Sequence, residues 1–248
     1  MDLTQALLLV LAGVAAGAVN TLAGAGSLLT FPALLAAGLP PLVANVTNRL
    51  GVIPGSISGA YRMRGQLVGE GRRLWRLSAW VAAGSVLGAV LLLSLPGDSF
   101  EAIVPVLVGA AGLLVLAQPL VVRMRRARPA RAGALGPVMG AVAIYSGYFG
   151  AAQGVAFIGV LGVLDPQSLR RTNAVKNVLA VSANGAAGLV YVVVAPVDWT
   201  AGLLVALGSA CGGPIGAALA TRVPAGPLRL AIALFSLLVA VRLALSSW

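Results

Sequence analysis

The sequence predicts an all-α, polytopic membrane protein made of two inverted-topology repeats, each of about five helical segments that include short broken or half helices. Three observations carry this. The 248 residues are 59% hydrophobic and 9% charged, with a mean hydropathy of +0.99, whereas a soluble domain devotes roughly a quarter of its residues to charge. A shift of 128 residues carries Gly26 to Gly154, Asn45 to Asn173, Gly84 to Gly212, Gly88 to Gly216, Ala89 to Ala217 and Pro96 to Pro224 without a gap, which marks an internal duplication. Fourteen of the 17 Lys and Arg residues fall in loops between apolar runs.

A crossing helix needs about 20 apolar residues, and lipid offers no partner to an open strand edge, so the ten apolar runs read as helices. The first, 3–20, follows Asp2 without a basic segment or a clear cleavage site, so it reads as a retained span rather than a leader. The second, 27–39, is too short to cross untilted and follows the cluster Gly24-Ala25-Gly26-Ser27. The third, 43–61, is apolar but holds Asn45, Asn48 and Arg49. The fourth and fifth, 74–95 and 100–122, complete a first repeat over 1–122. Residues 123–131, with Pro129 and five arginines, form a basic cytoplasmic linker that also attracts anionic lipid. The second repeat, 132–248, holds the runs 132–149, 155–164, 175–194, 199–220 and 228–246. Run 155–164 is short like 27–39, follows the glycine-rich stretch from Gly147 to Gly154, and occupies the equivalent place. Such paired short segments point to broken helices beside a site. Gly84, Gly88, Ala89 and their counterparts fit helix packing.

Charge orients the chain. Placing the loops of Arg62 to Arg76, Arg123 to Arg131, Arg170 with Arg171, and Arg222 with Arg229 in the cytoplasm leaves Asp2, the Pro96 to Glu101 loop and the Asp198 loop outside. The Arg62 to Arg76 loop then lies inside and its counterpart at 190–200 outside. Five crossings separate them, which inverts the repeats, provided that the two short runs cross as full segments. The same distribution explains the net charge of +11 without nucleic acid, because neither a soluble fold nor aromatic stacking platforms accompany it.

Charge within a membrane is rare and usually functional. Arg49 and Lys176 stand at nearly equivalent places in the two halves, and either one supplies charge to a site or snorkels to the nearer interface. Asn45, Asn48, Asn173 and Asn177 can donate to anionic oxygens, and Thr47, Ser27, Ser182 and Asn184 extend the donor set. Asn45 with Arg49, and Asn173 with Asn177, share helix faces at a spacing of four. The competing role of each amide or hydroxyl is an interhelical hydrogen bond. Gly26 and Gly154 mark breaks where one helix ends and the next begins, and amide groups at the new N-termini would favour a small anion.

Other classes find little support. No histidine occurs, and the lone Cys211 can form neither an internal disulfide nor a metal cluster, so no metal or cofactor is expected. No carboxylate falls clearly inside a span to act as a base or to carry a cation. Glu70 and its counterpart Asp198 read as charges at helix N-termini.

The stretch Gly24-Ala25-Gly26-Ser27-Leu28-Leu29-Thr30-Phe31-Pro32-Ala33-Leu34, then Ala44-Asn45-Val46-Thr47-Asn48-Arg49, resembles the first-half signature of the TauE/SafE family of sulfite and organosulfur exporters. Thr172-Asn173-Ala174-Val175-Lys176-Asn177, followed by Ser182-Ala183-Asn184, is similar to its second-half partner. The resemblance covers nearly the whole chain. It implies a multi-pass carrier of the bacterial inner membrane that exports small sulfur-containing anions such as sulfite, sulfonates or thiosulfate. The expected mechanism is alternating access at a cationic site between the repeats, without cofactor. An anion channel and a non-transporting membrane scaffold are the alternatives. Where members of the family often carry a run of glycines, this chain has Ala23-Gly24-Ala25-Gly26.

Overall fold

A computed structural model describes residues 1–123, 133–219 and 225–246. The described residues form eleven α-helices and no strand. In chain order these are α1 (Leu3–Ala23), α2 (Ser27–Ala36), α3 (Pro41–Gly51), α4 (Ile53–Arg62), α5 (Gly71–Ser94), α6 (Gly97–Arg123), α7 (Leu135–Tyr148), α8 (Gln153–Leu164), α9 (Leu169–Val194), α10 (Trp199–Leu219) and α11 (Ala225–Ser246), with a 3₁₀ turn at Arg64–Leu67. Six of them are long and apolar enough to cross a membrane: α1, α5, α6, α9, α10 and α11. Large apolar side chains such as Leu11, Val106, Leu189 and Leu238 stay exposed along their outer faces, and Trp75 and Trp199 stand exposed near helix ends. Lipid-facing spans with interfacial tryptophans require this arrangement, and the chain is a multi-pass membrane protein. The starts of α3, α5 and α6 at Pro41, Gly71 and Gly97 recur at Leu169, Trp199 and Ala225, each 128 residues on. The linker over 124–131 lies outside the described residues, as does Arg222.

Three expectations change. The run 43–61 is not one helix: it breaks at Val52 between α3 and α4. Pro54 has no amide hydrogen to donate to the Leu50 carbonyl, so the ladder is interrupted there. Ser182 stands at the position equivalent to Pro54, and α9 runs unbroken through it. The helix α9 also starts at Leu169 rather than 175, capped by Ser168, whose Oγ accepts from the Arg171 amide at 3.4 Å, so Arg170 and Arg171 lie in its first turn rather than in a loop. Finally, neither short run crosses as a full segment. At 1.5 Å per residue, α2 with 10 residues and α8 with 12 are about 15 and 18 Å long, near half a bilayer core.

Each short helix instead folds back from a break. Gly24 ends α1 at φ +77°, and Gln5 Nε2 near the start of α1 donates to the Ala37 carbonyl at the end of α2, 3.4 Å away. The helix α2 therefore returns to the side from which α1 set out. The helix α8 leaves its own break through Ala152, which holds the left-handed φ of +55° at the position equivalent to Gly24. The two breaks touch. Gly154 N–H donates to the Gly24 carbonyl at 3.0 Å, and a Cβ on Gly24 would stand 2.5 Å from the Gly154 Cα. Phe31 of α2 meets Phe149 after α7 edge to face, with centroids 5.4 Å apart.

Helix packing then fixes what surrounds the breaks. A Cβ on Gly84 or Gly88 of α5 would strike the Gly140 or Ile144 carbonyl of α7, and one on Gly212 or Gly216 of α10 would strike the Val14 or Ala18 carbonyl of α1. These helices approach backbone to backbone, which is how membrane helices gain contact without a hydrophobic driving force.

Candidate functional site

The interior of this bundle is polar. Asn20, Thr21, Thr30, Asn45, Thr47, Asn48, Arg49, Ser56, Gln153, Lys176, Asn177 and Asn184 are all buried. Arg49 is 3% exposed and Lys176 1%, so neither side chain snorkels.

Arg49 sits in the last turn of α3 and reaches across to the second half. Its Nη1 donates to Asn184 Oδ1 at 2.8 Å and to Gln153 Oε1 at 3.3 Å. Gln153 Nε2 also donates to Asn184 Oδ1 at 2.9 Å, and Ser146 Oγ donates to Gln153 Oε1. The guanidinium lies against Gly150, whose φ of +73° and missing Cβ leave room for it. Among the described residues, Arg49 Nε and Nη2 and Asn184 Nδ2 have no hydrogen-bond partner, and no carboxylate pairs with Arg49. A buried cation answered only by neutral amide oxygens carries a desolvation penalty that its own contacts do not offset.

Lys176 of α9 has a different setting. Its Nζ donates to the Asn20 carbonyl at 2.6 Å and the Thr21 carbonyl at 3.3 Å, and its stem runs beside Gly154. Those carbonyls belong to the last turn of α1, which carries partial negative charge, and the Asn20 oxygen also accepts from the Gly24 amide at 2.9 Å. The two cations therefore stand at opposite ends of the segment from Gly150 to Gly154.

Most of the other expected donors are engaged elsewhere. Asn45 Nδ2 donates to the Tyr148 carbonyl at the end of α7 at 3.0 Å, and Asn173 Nδ2 to the Leu22 carbonyl at the end of α1 at 3.5 Å. Each thus caps the helix that precedes the other half's break. Asn48 Oδ1 accepts from Thr30 Oγ1 at 2.5 Å, Asn177 Nδ2 faces Met63 Sδ at 3.4 Å, and Thr47 Oγ1 accepts from the Asp198 amide at 3.0 Å. Ser182 Oγ donates to the Val178 carbonyl and is hydrogen-bonded to Ser78 Oγ. Gly26 is buried against the Ala16 carbonyl, and Ser27 is half-buried at the start of α2. The amides of Gln153, Gly154 and Val155 donate to the Gly150, Gly24 and Ala152 carbonyls, so the start of α8 is satisfied by backbone rather than left open. Only Asn184 of the expected donors joins Arg49.

Gln153, Ser146 and Asn20 escaped the sequence reading. Gln153 is equivalent to Ala25 and Asn20 to Tyr148, so a search for matching polar positions passes over both. The available signal was an amide inside an otherwise small and apolar stretch.

A second charged cluster lies at the arginine-rich end. Glu70, which immediately precedes α5 and is 6% exposed, pairs with Arg73 and Arg171, and Arg73 pairs also with Asp165 after α8. Burial would raise the Glu70 carboxyl, but the hydrogen bonds and charges of Arg73 and Arg171 outweigh it and hold the group below its ordinary 4.5. It is ionised at neutral pH, and its pairs are lost only as pH falls through that lowered value. The counterpart Asp198 makes no ion pair among the described residues; its carboxylate accepts from the Ala201 amide at 2.9 Å.

A family model described as Sulfite exporter TauE/SafE matches residues 9–243. A probable membrane transporter protein of Haemophilus influenzae is 32% identical over 228 residues, covering 88% of this chain and 86% of that protein. Probable membrane transporter protein YfcA of Escherichia coli K12 is 31% identical over 210 residues, or 82% of this chain and 76% of its own length. Probable membrane transporter protein ORF9 of a Sinorhizobium species is 32% identical over 234 residues, with 92% and 88% covered. No solved structure matches the chain.

Proposed function

Because the chain belongs to the TauE/SafE sulfite exporter family, we propose that it is a secondary transporter that exports small sulfur oxyanions such as sulfite, sulfonates or thiosulfate across the bacterial inner membrane. The observation that carries this is Arg49: a buried guanidinium against the break between α7 and α8, with two nitrogens unpartnered and, among the described residues, no carboxylate paired with it. An anion removes the penalty of burying that charge, and a cation would add to it. The 128-residue recurrence of helix starts and the touching of equivalent breaks support two repeats over 1–122 and 132–248 related by inversion, with the site between them. The helix α2 returns toward the start of α1, and α8 toward the start of α5, beside which α7 begins, so the parity of crossings is the same as if both short runs had crossed. In this reading Arg49 and Asn184 bind the anion with Gln153 orienting them. Lys176, whose ammonium is held by the Asn20 and Thr21 carbonyls, braces the breaks from the other side, and Asn45, Asn48, Thr47, Asn173, Asn177 and Ser182 hold the surrounding helices.

The Glu70, Arg73, Asp165 and Arg171 cluster ties the start of α5 to the end of α8 and the start of α9, across the two proposed repeats. It closes the cytoplasmic end of the path. Glu70→Gln releases both arginines from that carboxylate, and amide hydrogen exchange around 165–172 is expected to quicken about tenfold, as for a local opening made easier by roughly 1.4 kcal/mol. Exchange at the wild-type rate would show that these pairs latch nothing.

A channel lined by the same cations is the competing reading. The contact of Gly24 with Gly154 and the ion pairs at the arginine end favour a carrier, since both must part for passage. Purified protein in liposomes is expected to move labelled sulfite or a sulfonate with saturation and counterflow. Non-saturating flux would favour the channel, and flux equal to that of empty liposomes would overturn transport altogether.

A further inference from the structure

The charge of the anion is also written into the buried polar core. We infer that the Arg49 site selects a singly charged anion, hydrogensulfite or an alkylsulfonate, over dianions such as sulfite and sulfate. This rests on the transport reading above, which it narrows by removing the dianion thiosulfate and taking sulfite in its protonated form, but not on the direction or mechanism of transport.

The argument counts positive charge that has no compensation. Lys176 lies at the far end of the Gly150 to Gly154 segment, where the Asn20 and Thr21 carbonyls and the roughly half-unit negative charge at the end of α1 take up part of its charge. The start of α8 adds little, because its first amides donate to backbone carbonyls. Around Arg49 the polar groups are neutral: Gln153 of α8, Asn184 of α9 and Ser146 of α7, with Tyr145 OH donating to the Ala151 carbonyl and Tyr191 OH to the Gly147 carbonyl. Among the described residues no carboxylate pairs with it. At Arg49 itself one full unit of positive charge therefore remains, and a monoanion makes that site neutral. A dianion leaves one buried negative charge without a partner, which is strongly disfavoured.

The donors fit the same class. Arg49 Nε and Nη2 form one edge of the guanidinium, the edge that grips two oxygens of an oxyanion side by side. Asn184 Nδ2 is a third unpartnered donor. Three donors match the three oxygens of a sulfonate or hydrogensulfite group, and the fourth oxygen of sulfate finds none.

The test is ligand-induced thermal stabilisation of the purified wild-type protein at constant ionic strength. The probes are methanesulfonate, sulfate and sulfite, each on the acid and alkaline sides of the hydrogensulfite titration. Methanesulfonate is a monoanion throughout and reports any titration of the protein itself, including Lys176, Tyr145 and Tyr191. It is expected to stabilise equally on both sides. Sulfite is expected to stabilise on the acid side alone, and sulfate to need at least about a hundredfold higher concentration. Arg49→Gln, folded by its own melting transition, is expected to lose all three responses. Sulfate acting within about threefold of methanesulfonate, or sulfite binding tighter on the alkaline side, overturns the inference, as does the absence of any response. Methanesulfonate binding without flux in liposomes would overturn transport and leave the charge assignment standing.

Discussion

Arg49→Met is expected to reduce sulfur-oxyanion flux at least about a hundredfold while raising the melting temperature. The two effects have one cause. Burying a guanidinium against neutral amides costs several kcal/mol, and replacing such a buried charge by an apolar side chain of similar size is commonly neutral or stabilising by about 1–4 kcal/mol. The partners are not orphaned by the change. Asn184 Oδ1 keeps the Gln153 amide, and Gln153 Oε1 keeps the Ser146 hydroxyl. For a chain of this size, a gain of 1–2 kcal/mol corresponds to roughly 2–8 °C. Arg49→Lys should recover little flux, because a point charge on a flexible stem does not present the two-nitrogen edge. Flux in liposomes and a melting curve in detergent decide the matter. A fall in both would make Arg49 a structural strut, and unchanged flux would remove it from the site.

The second large effect is expected at the contact between the breaks. Gly24→Val places a β-branched residue at φ +77° and drives its Cβ to within 2.5 Å of the Gly154 Cα. The left-handed backbone costs about 1–2 kcal/mol for a residue with a side chain, and overpacking adds about 1–3 kcal/mol. A drop in melting temperature of about 10 °C, or loss of monodisperse protein, should follow. Gly38→Val is the control, since Gly38 has φ +92° but nothing within 4 Å of the added Cβ. It should show the backbone cost alone. Equal losses at both positions would mean that the Gly24 and Gly154 contact contributes nothing.

The contrast between Pro54 and Ser182 shows where local sequence sufficed and where it did not. Both lie in apolar runs that read alike as spans, yet the missing donor of Pro54 divides α3 from α4, and the chain passes through Ser182 without interruption. The break is legible from proline chemistry but not from hydropathy, which averages over such a point. The two half helices were legible from length, but not their return. A run such as 27–39 or 155–164 is compatible with crossing or folding back; the bond from Gln5 to Ala37 shows that α2 folds back, and the pairing of Asp165 with Arg73 takes the end of α8 to the start of α5.

The candidate site was legible in its cations and obscure in its partners. Arg49 stood out because charge is rare in apolar sequence. Its acceptors Gln153 and Asn184 lie 104 and 135 residues away, and nothing local connects them. Asn45 and Asn173 were read as ligand donors from their types, which an interhelical cap on the Tyr148 or Leu22 carbonyl satisfies equally well.

By itself the sequence determined what each segment could tolerate. Apolar runs must lie in lipid, arginine loops must stay on one side, and small residues must sit where backbones meet, because transfer free energy and steric size belong to individual residues. The tertiary structure alone decided which polar groups would meet. Close packing at Gly24, Gly150 and Gly154 sets those distances, and a hydrogen bond or a buried charge gains or loses its value over an ångström or two, a scale no periodicity in the chain records.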